Sequence, residues 1–259
     1  MKALWRLAHR AWLLARPLPP PTIVHVTHWK AGSQWIHRIL HYCAAERVVR
    51  PDVNAAHFLK RPIQPGMVYP TVYATKEQYE RMTLPRNTRR FLVLRDLRDT
   101  LVSWYFSMRI SHVIDDEEIS RTRAELAARS QEDGLLWSIG LAPHFSKVAA
   151  IQQSWLRAGE PFVRYEDLLD QDEALFQRVL LDQCGLGVSR ELLSNAVRDC
   201  RFERLTAGRP RGTEDVTAHC RKGIAGDWRN HLTAKLKLAF KQRYGHLLVA
   251  AGYERDDNW

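Results

Sequence analysis

Three short segments of the 259-residue sequence combine cationic side chains, glycines and hydroxyl groups at close spacing. They read T-H-W-K-A-G-S-Q-W over residues 27–35, R-D-L-R-D-T-L-V-S-W-Y over 95–105 and R-K-G-I-A-G-D-W-R-N-H-L-T over 221–233. Arginine and lysine make charge-assisted hydrogen bonds to phosphate-type anions, and a glycine lets the backbone approach such a group closely. Three segments of this kind predict a ligand that carries several negative charges.

The first segment lies between a predicted strand and a predicted helix. The β-branched run at 22–27 is typical of a strand, and from Ser33 to about Arg47 the apolar residues recur at helical steps. The N–H groups at the start of such a helix, together with the Lys30 ammonium and the Ser33 hydroxyl, would surround one anion. The order of its glycine and lysine differs from G-x-x-x-x-G-K-[ST], so the segment is not a Walker A loop.

Further strands and helices alternate along the chain. The run F-L-V-L at 91–94 is typical of a buried strand and precedes an apolar helix predicted over 100–108, which places Arg95 at the carboxyl end of that strand. A third apolar run at 161–165 follows a helix predicted over 145–157. This alternation predicts a single α/β domain over residues 23–259, with a mostly parallel central sheet flanked by helices.

The composition narrows the class of protein and of partner. There are 39 lysines and arginines against 29 aspartates and glutamates, a net charge of +10 that favours an anionic partner. The four cysteines form no C-x-x-C pair and no disulfide framework, which predicts a reduced, cytoplasmic setting. No run approaches the roughly 20 apolar residues that a membrane-spanning helix needs, so a membrane-spanning protein is excluded.

The amino-terminal segment 1–22 is predicted to be separate from the domain. Residues 1–16 place leucines, tryptophans and alanines at helical spacing among basic residues, and the prolines from Pro17 to Pro21 end any helix there. Two interpretations stay open: a helix packed on the surface of the domain, or a basic amphipathic helix that makes peripheral contact with a membrane.

Together the three segments resemble the sulfotransferases that use 3′-phosphoadenosine-5′-phosphosulfate (PAPS). The 5′-phosphosulfate loop of that family, such as K-S-G-T-T-W, is similar to residues 30–35, and its 3′-phosphate segment is similar to residues 95–105. Its R-K-G-x-x-G-D-W loop matches residues 221–228 at every fixed position. Y-E-D-L at 165–168 and F-E-R-L at 202–205 extend the resemblance, which implies the P-loop-like sulfotransferase fold.

The resemblance implies transfer of a sulfuryl group from PAPS to an acceptor hydroxyl or amine by in-line displacement, without a metal. Lys30 would neutralise the charge that develops on the leaving nucleotide, 3′-phosphoadenosine-5′-phosphate (PAP). The family pattern assigns the 5′-phosphosulfate to Lys30, Ala31, Gly32, Ser33 and Gln34, the adenine to Trp35 and Phe202 with Tyr165 nearby, and the 3′-phosphate to Arg95, Ser103, Arg221, Lys222 and Gly223.

The general base is the point at which the sequence departs from this pattern. Cytosolic members of the family carry a histidine in a K-T-H segment, and the corresponding stretch here, Y-P-T-V-Y-A-T at 69–75, has none. Other members use a carboxylate shortly after the first helix, where this chain has Asp52, with His57 five residues later. Asp52 and His57 are equal candidates for the base, Tyr73 and Lys76 are weaker ones, and His112 is predicted to line the acceptor pocket.

Two other functional classes and several acceptors stay open at this point. An ATP-dependent P-loop-like kinase would fit the strand, loop and helix at the start, but it gives the Arg221-Lys222 pair no 3′-phosphate to bind. A non-catalytic basic nucleic-acid-binding module would explain the net charge but not the Gly-Asp-Trp of the third segment. If the protein is a sulfotransferase, we expect it to bind no nucleic acid and to act on a small molecule, a sugar or a lipid as the acceptor.

Overall fold

The computed structural model describes residues 19–51, 61–114, 116–256 and 258–259. Its centre is a parallel sheet with the strand order β2-β1-β3-β4, formed by Val68–Val72, Thr22–Thr27, Thr88–Leu94 and Val163–Arg164 respectively. All six residues of β1 are buried because the strand lies inside the sheet. The predicted α/β fold with a parallel central sheet is therefore confirmed.

Eleven α-helices of the described residues surround this sheet. Two of them continue as π-helical turns: the helix Leu97–Phe106 over Ser107–Ser111, and the helix Asp172–Phe176 over Gln177–Gln183. Asp227–Asn230 form a 3₁₀ turn. The helices are α1 (Ser33–Ala44), α2 (Lys76–Glu80), α3 (Leu97–Phe106), α4 (Glu117–Ala127), α5 (Gln131–Gly140), α6 (Pro143–Arg157), α7 (Tyr165–Asp170), α8 (Asp172–Phe176), α9 (Arg190–Asp199), α10 (Phe202–Leu205) and α11 (Ala234–Ala250). In the part of the chain that the structure describes, no helix is both long and apolar enough to cross a membrane.

Apolar cores cover both faces of the sheet. On one face Ile23 and Val93 pack against α1, α9 and the α8 region, and on the other Val24 and Leu92 pack against α2 and α6. A further core joins α3, α5, α6 and α11. These cores hold the strands in place, and the loops after β1, β2 and β3 meet at the carboxyl edge of the sheet.

Several element boundaries differ from those predicted. Helix α3 begins at Leu97 rather than Thr100, because the Asp96 side chain caps it by accepting a hydrogen bond from the Arg98 N–H at 2.8 Å. Strand β3 starts three residues before Phe91, and the third predicted strand shortens to Val163–Arg164. Strand β2 is an element that the sequence analysis does not predict. It contains Pro70, which a sheet tolerates at its edge, where β2 lies.

Buried histidines predict that the fold loses stability in acid. Burial lowers the pKa of His25, His28 and His144 to about 4, whereas an unfolded histidine titrates near pH 6.5. Between these values the unfolded chain binds protons that the folded chain does not, so stability falls as the pH falls. Each histidine should lower the free energy of unfolding by about 1.4 kcal/mol when the pH falls from 7.5 to 5.5. Urea unfolding at the two pH values measures this loss.

A variant pair separates this effect from general acid sensitivity. His28→Asn should lose part of the pH dependence, whereas the exposed His246→Gln should keep the dependence of the wild type. An unfolding free energy that is equal at pH 7.5 and 5.5 in the wild type would show that these rings do not stay neutral in the folded protein.

Candidate active site

A cavity of about 480 Å³ opens at the carboxyl edge of the sheet. All three segments that the sequence singled out contribute to its wall, although they are far apart along the chain. The residues that line it are Trp29, Lys30, Gly32, Ser33, Gln34, Trp35, His37, Pro51, Thr71, Tyr73, Arg95, Ser103, His112, Tyr165, Leu169, Cys200, Phe202, Leu205, Arg211, His219, Cys220, Arg221, Lys222, Gly223 and Ile224.

The loop between β1 and α1 forms one wall of this cavity. Lys30 and Gly32 both have positive φ angles, 69° and 82°, which turn the chain sharply into the helix. Within the described residues no side chain caps the start of α1, and its first turn holds no acidic residue. The Ser33 hydroxyl lies 2.7 Å from the Tyr73 hydroxyl. The helix start therefore presents N–H donors, a hydroxyl and a cation to the same space.

Ala31 differs from its neighbours in this loop. It is fully buried, it does not line the cavity, and its N–H donates to the His28 carbonyl at 3.4 Å. The rest of the predicted phosphosulfate loop, Lys30 and residues 32–34, does face the cavity.

The Lys30 ammonium is placed in an unfavourable setting for a charge. Burial, with a smaller contribution from the nearby Arg95 guanidinium, lowers the pKa of Lys30 to about 8. An anion bound in the cavity would raise this pKa again, because it favours the protonated amine. Among the described residues no carboxylate pairs with this ammonium, so an anionic ligand would supply the counter-charge.

Arg95 links the first and third segments. Its guanidinium donates to the Lys30 carbonyl at 2.9 Å and to the Ile224 carbonyl at 3.5 Å, and it lies 4.6 Å from the centre of the Tyr165 ring. The Nε–H of Arg95 is buried without a hydrogen-bond partner among the described residues. A buried cationic donor without a partner lowers the stability of the fold, and an anionic ligand in the cavity would supply that partner.

Two buried carboxylates hold the loop of residues 221–228 in place. Asp99, on α3, accepts hydrogen bonds from the N–H groups of Gly226 at 2.6 Å and Trp228 at 2.9 Å. Asp227 accepts from Lys222 at 2.6 Å and from the Arg221 guanidinium. Burial would raise the pKa of Asp227, but hydrogen bonds from His231, Lys222, Asn230 and Arg221 lower it. The carboxylate therefore stays ionised and fixes both cations at the cavity wall.

Two glycines let aromatic rings close on the cavity. A Cβ added to Gly32 would lie 2.6 Å from the Tyr165 ring, and one added to Gly223 would lie 2.4 Å from the Phe202 ring. Both glycines have positive φ angles, 82° and 69°. Any side chain at either position would displace a ring of the cavity wall as well as strain the backbone.

A third aromatic side chain completes this wall. The Trp35 indole meets the Tyr165 ring edge-on with ring centres 6.4 Å apart, and it packs against Phe176 with centres 5.3 Å apart. Flat, apolar walls next to cations and N–H donors suit a ligand that joins an aromatic ring to several anionic groups.

Comparison with known proteins identifies the class. A model of the sulfotransferase domain matches residues 20–252. The chain belongs to the sulfotransferase family. Its assignment from the sequence as a PAPS-dependent sulfotransferase is thereby confirmed at the level of the family.

Relatives and solved structures agree with this assignment. Human Sulfotransferase 1C2 is 25% identical over 87% of this chain and 82% of its own length, and bovine Sulfotransferase 1E1 is 23% identical over the same shares. The solved mouse sulfotransferase SULT7A1, complexed with PAP, superposes with a TM-score of 0.62 at 16% identity, covering 90% of this chain and 89% of its own. Retinol dehydratase in a complex with retinol and PAP superposes with a TM-score of 0.51 at 14% identity, covering 90% and 82%.

Most of the residues predicted to bind the donor lie together. Apart from Ala31, all of them line the cavity, and His112 lines it too, as predicted for a pocket residue. The two candidate bases, Asp52 and His57, lie outside the described residues, as does the predicted amphipathic helix over 1–16. The roles of all these residues, including the catalytic role of Lys30, remain predictions.

Other residues at or beside this site are not evident from the sequence. Asp99 and Asp227 were noted only as parts of charged motifs, yet both hold the 221–228 loop by their carboxylates. Thr71 and His219 also line the cavity. Thr71 belongs to the stretch 69–75, which was noted only for its lack of a histidine, and His219 belongs to no recognised motif. In the sequence, only the spacing of Asp227 after Arg221-Lys222 indicated that this carboxylate could hold the two cations. The place of Thr71 in the cavity wall follows only from the pairing of β2 in the sheet.

Proposed function

We propose that the cavity binds PAPS along the wall formed by the three segments and transfers its sulfuryl group to the hydroxyl or amine of a small-molecule acceptor. The single observation that carries this proposal is that Arg95, Ser103 and residues 221–223 line the same cavity as Lys30 and residues 32–34. Two anionic ends of one nucleotide require two cationic clusters that face a common space.

The residues present fit this nucleotide. We assign the 5′-phosphosulfate to Lys30 and the N–H groups at the start of α1, and the 3′-phosphate to Arg95, Ser103 and residues 221–223. The unpaired Nε–H of Arg95 and the glycine at 223, whose missing Cβ leaves room for the Phe202 ring, support this placement. The adenine would lie between Trp35 and Phe202, with Tyr165 nearby.

Charge neutralisation and positioning supply the chemistry. In an in-line displacement the acceptor oxygen forms a bond to sulfur while the bond from sulfur to the bridging phosphate oxygen breaks. Lys30 would stabilise the negative charge that develops on that bridging oxygen, and a general base would take the proton of the acceptor. These steps use no metal, and its absence stays a prediction. A cytoplasmic location also stays a prediction, and residues 1–16 keep both interpretations, a helix packed on the domain or one in peripheral contact with a membrane.

The acceptor is proposed at the level of a small hydroxyl compound. Retinol dehydratase has been solved with retinol and with androsterone, two small molecules that each carry a hydroxyl. In this chain Trp29 and Tyr73 line the cavity with their rings 4.4 Å apart and nearly parallel. Such an aromatic wall suits a small apolar acceptor better than a strongly hydrated one.

A labelling experiment tests the proposed reaction. The protein is incubated with ³⁵S-labelled PAPS and with 4-nitrophenol, androsterone, retinol or glucose, and the products are separated. We expect a labelled sulfate ester together with PAP. A parallel incubation with γ-³²P-labelled ATP should transfer no label; phosphoryl transfer without sulfuryl transfer would favour the kinase interpretation instead.

Substitution of Gly223 tests the 3′-phosphate site. In Gly223→Ala the new Cβ must push the Phe202 ring or the loop itself, because the two would be 2.4 Å apart. Loss of one or two charge-assisted hydrogen bonds should weaken PAP binding about 100-fold. Titration calorimetry with PAP measures the change.

A second glycine provides the matched control. Gly159 has a similar φ of 64°, follows α6, and has no atom within 4 Å of an added Cβ. Gly159→Ala should therefore share the backbone strain but bind PAP like the wild type. Equal PAP affinity in Gly223→Ala would show that the ring and the loop are not part of the binding site.

A further inference from the structure

Thr71 presents a buried hydroxyl to the cavity. The residue is 2% exposed and lines the cavity, and its Oγ1 has no hydrogen-bond partner among the described residues. Buried hydroxyls are nearly always paired, since an unpaired one loses its hydrogen bonds to water without a replacement. A ligand in the cavity is the partner that would satisfy this group.

An irregularity in β2 aims Thr71 at the cavity. Val24 pairs with Tyr69 and Val26 with Val72, so β2 holds one residue more than β1 between these pairs. The Tyr69 and Val72 side chains consequently pack in the same core, although an odd spacing would put them on opposite faces of a regular strand. Bulges of this kind redirect side chains next to functional sites.

Two features of the sequence stabilise this bulge. Pro70 has no N–H to give to the ladder, so an interruption at this position leaves no donor unpaired. The buried His25 ring fills the gap from β1, since its Nδ1 lies 2.5 Å from the Pro70 carbonyl. Specific residues therefore stabilise the bulge of this edge strand, and Thr71 lies within it.

The Thr71 hydroxyl makes no hydrogen bond to the described loop that is assigned to the phosphosulfate. Tyr73, two residues further on, also lines the cavity and is bonded to Ser33 of that loop at 2.7 Å. The Thr71 hydroxyl is therefore not held by that loop, and we assign it to the acceptor rather than to the donor.

We infer that the Thr71 hydroxyl hydrogen-bonds the acceptor molecule and thereby positions its reacting hydroxyl. This inference rests on the proposed sulfuryl transfer and names a specificity-determining residue for it. A site built to pair a polar group discriminates against compounds that leave the group unpaired. Thr71 is accordingly a determinant of which acceptors react, rather than part of the donor site.

The test compares Thr71→Val with Thr71→Ser. Valine keeps the shape of threonine and removes only the hydroxyl, whereas serine keeps the hydroxyl. For whichever of 4-nitrophenol, androsterone, retinol and glucose the wild type turns over fastest, Thr71→Val should lower kcat/KM about tenfold, mainly by raising KM. Thr71→Ser should stay near the wild type.

Measurements of stability and of donor binding distinguish a role in acceptor binding from a purely structural role of Thr71. Removal of an unpaired buried hydroxyl should leave Tm equal or higher in Thr71→Val, and the PAP dissociation constant should stay unchanged. Activity and stability thus move in opposite directions. A merely structural residue would lose both together.

Three results would overturn the inference. The first is an unchanged kcat/KM in Thr71→Val, and the second is a parallel loss of PAP affinity, which would place the hydroxyl at the donor. The third is a wild type that binds PAP but turns over none of the four compounds. A wild type that fails to bind PAP would instead refute the proposed function, and the inference would fall with it.

Discussion

Lys30→Met is expected to lower kcat for sulfuryl transfer by about 100- to 1000-fold, the usual cost of removing one preorganised group that stabilises charge in a transition state. Lys30 lies in the loop just before α1 and lines the cavity. Burial lowers the pKa of this lysine to about 8, so it is mostly protonated at pH 7 and gains most when negative charge develops beside it. Steady-state release of PAP from PAPS measures the effect.

The affinity for PAP distinguishes catalysis from simple binding. Because the charge at the bridging oxygen is largest in the transition state, PAP affinity should fall much less than kcat in Lys30→Met. Lys147→Met is the matched control, since Lys147 is exposed and pairs only with Glu118 in the described structure. A kcat within a factor of three of the wild type in Lys30→Met would remove this lysine from the mechanism.

Asp52→Asn or His57→Gln is expected to lower kcat by about 100- to 10,000-fold, the contribution of a general base. Both candidates lie outside the described residues. The described part of the cavity wall contains no carboxylate that could act as the base in their place. Burial raises the pKa of Tyr73 to about 12, so its hydroxyl stays protonated and is a poor base at neutral pH.

The pH profile separates the two candidate bases. A base must be unprotonated, so kcat/KM falls as the pH drops through its pKa; this drop comes near pH 4 for an ordinary aspartate and near pH 6.5 for an ordinary histidine. Full activity in both variants would contradict the prediction. His219 would then be the next candidate: it lines the cavity, and burial, Lys30 and His112 lower its pKa to about 4.

The donor side of the site was largely predictable from the sequence, because residues that are close together along the chain form it. Lys30 and residues 32–34 belong to one strand, loop and helix unit, and the periodicity of α1 was visible in single residues such as Ile36 and Ile39. The run at 221–228 matched a family motif at every fixed position. Short-range patterns of this kind can be recognised without knowledge of the tertiary fold.

The acceptor side was not predictable, because it depends on pairing between distant residues. Strand β2 carries a proline, which reads as a break in sequence, and only its edge position and the His25 contact make the strand possible. The orientation of Thr71 follows from a shift in register against β1. Asp99 likewise acquires its role only when α3 and the 221–228 loop come together.

Titration calorimetry with PAP and with adenosine 5′-diphosphate, on the wild type and on Lys222→Ala, tests the central claim most directly. Lys222 faces the cavity and is held by Asp227, so the variant removes one cation of the proposed 3′-phosphate site and leaves its frame. We predict that the wild type binds PAP about 100-fold more tightly than the diphosphate and that Lys222→Ala loses most of this preference. Equal affinity of the wild type for the two nucleotides would contradict the assignment of a 3′-phosphate site.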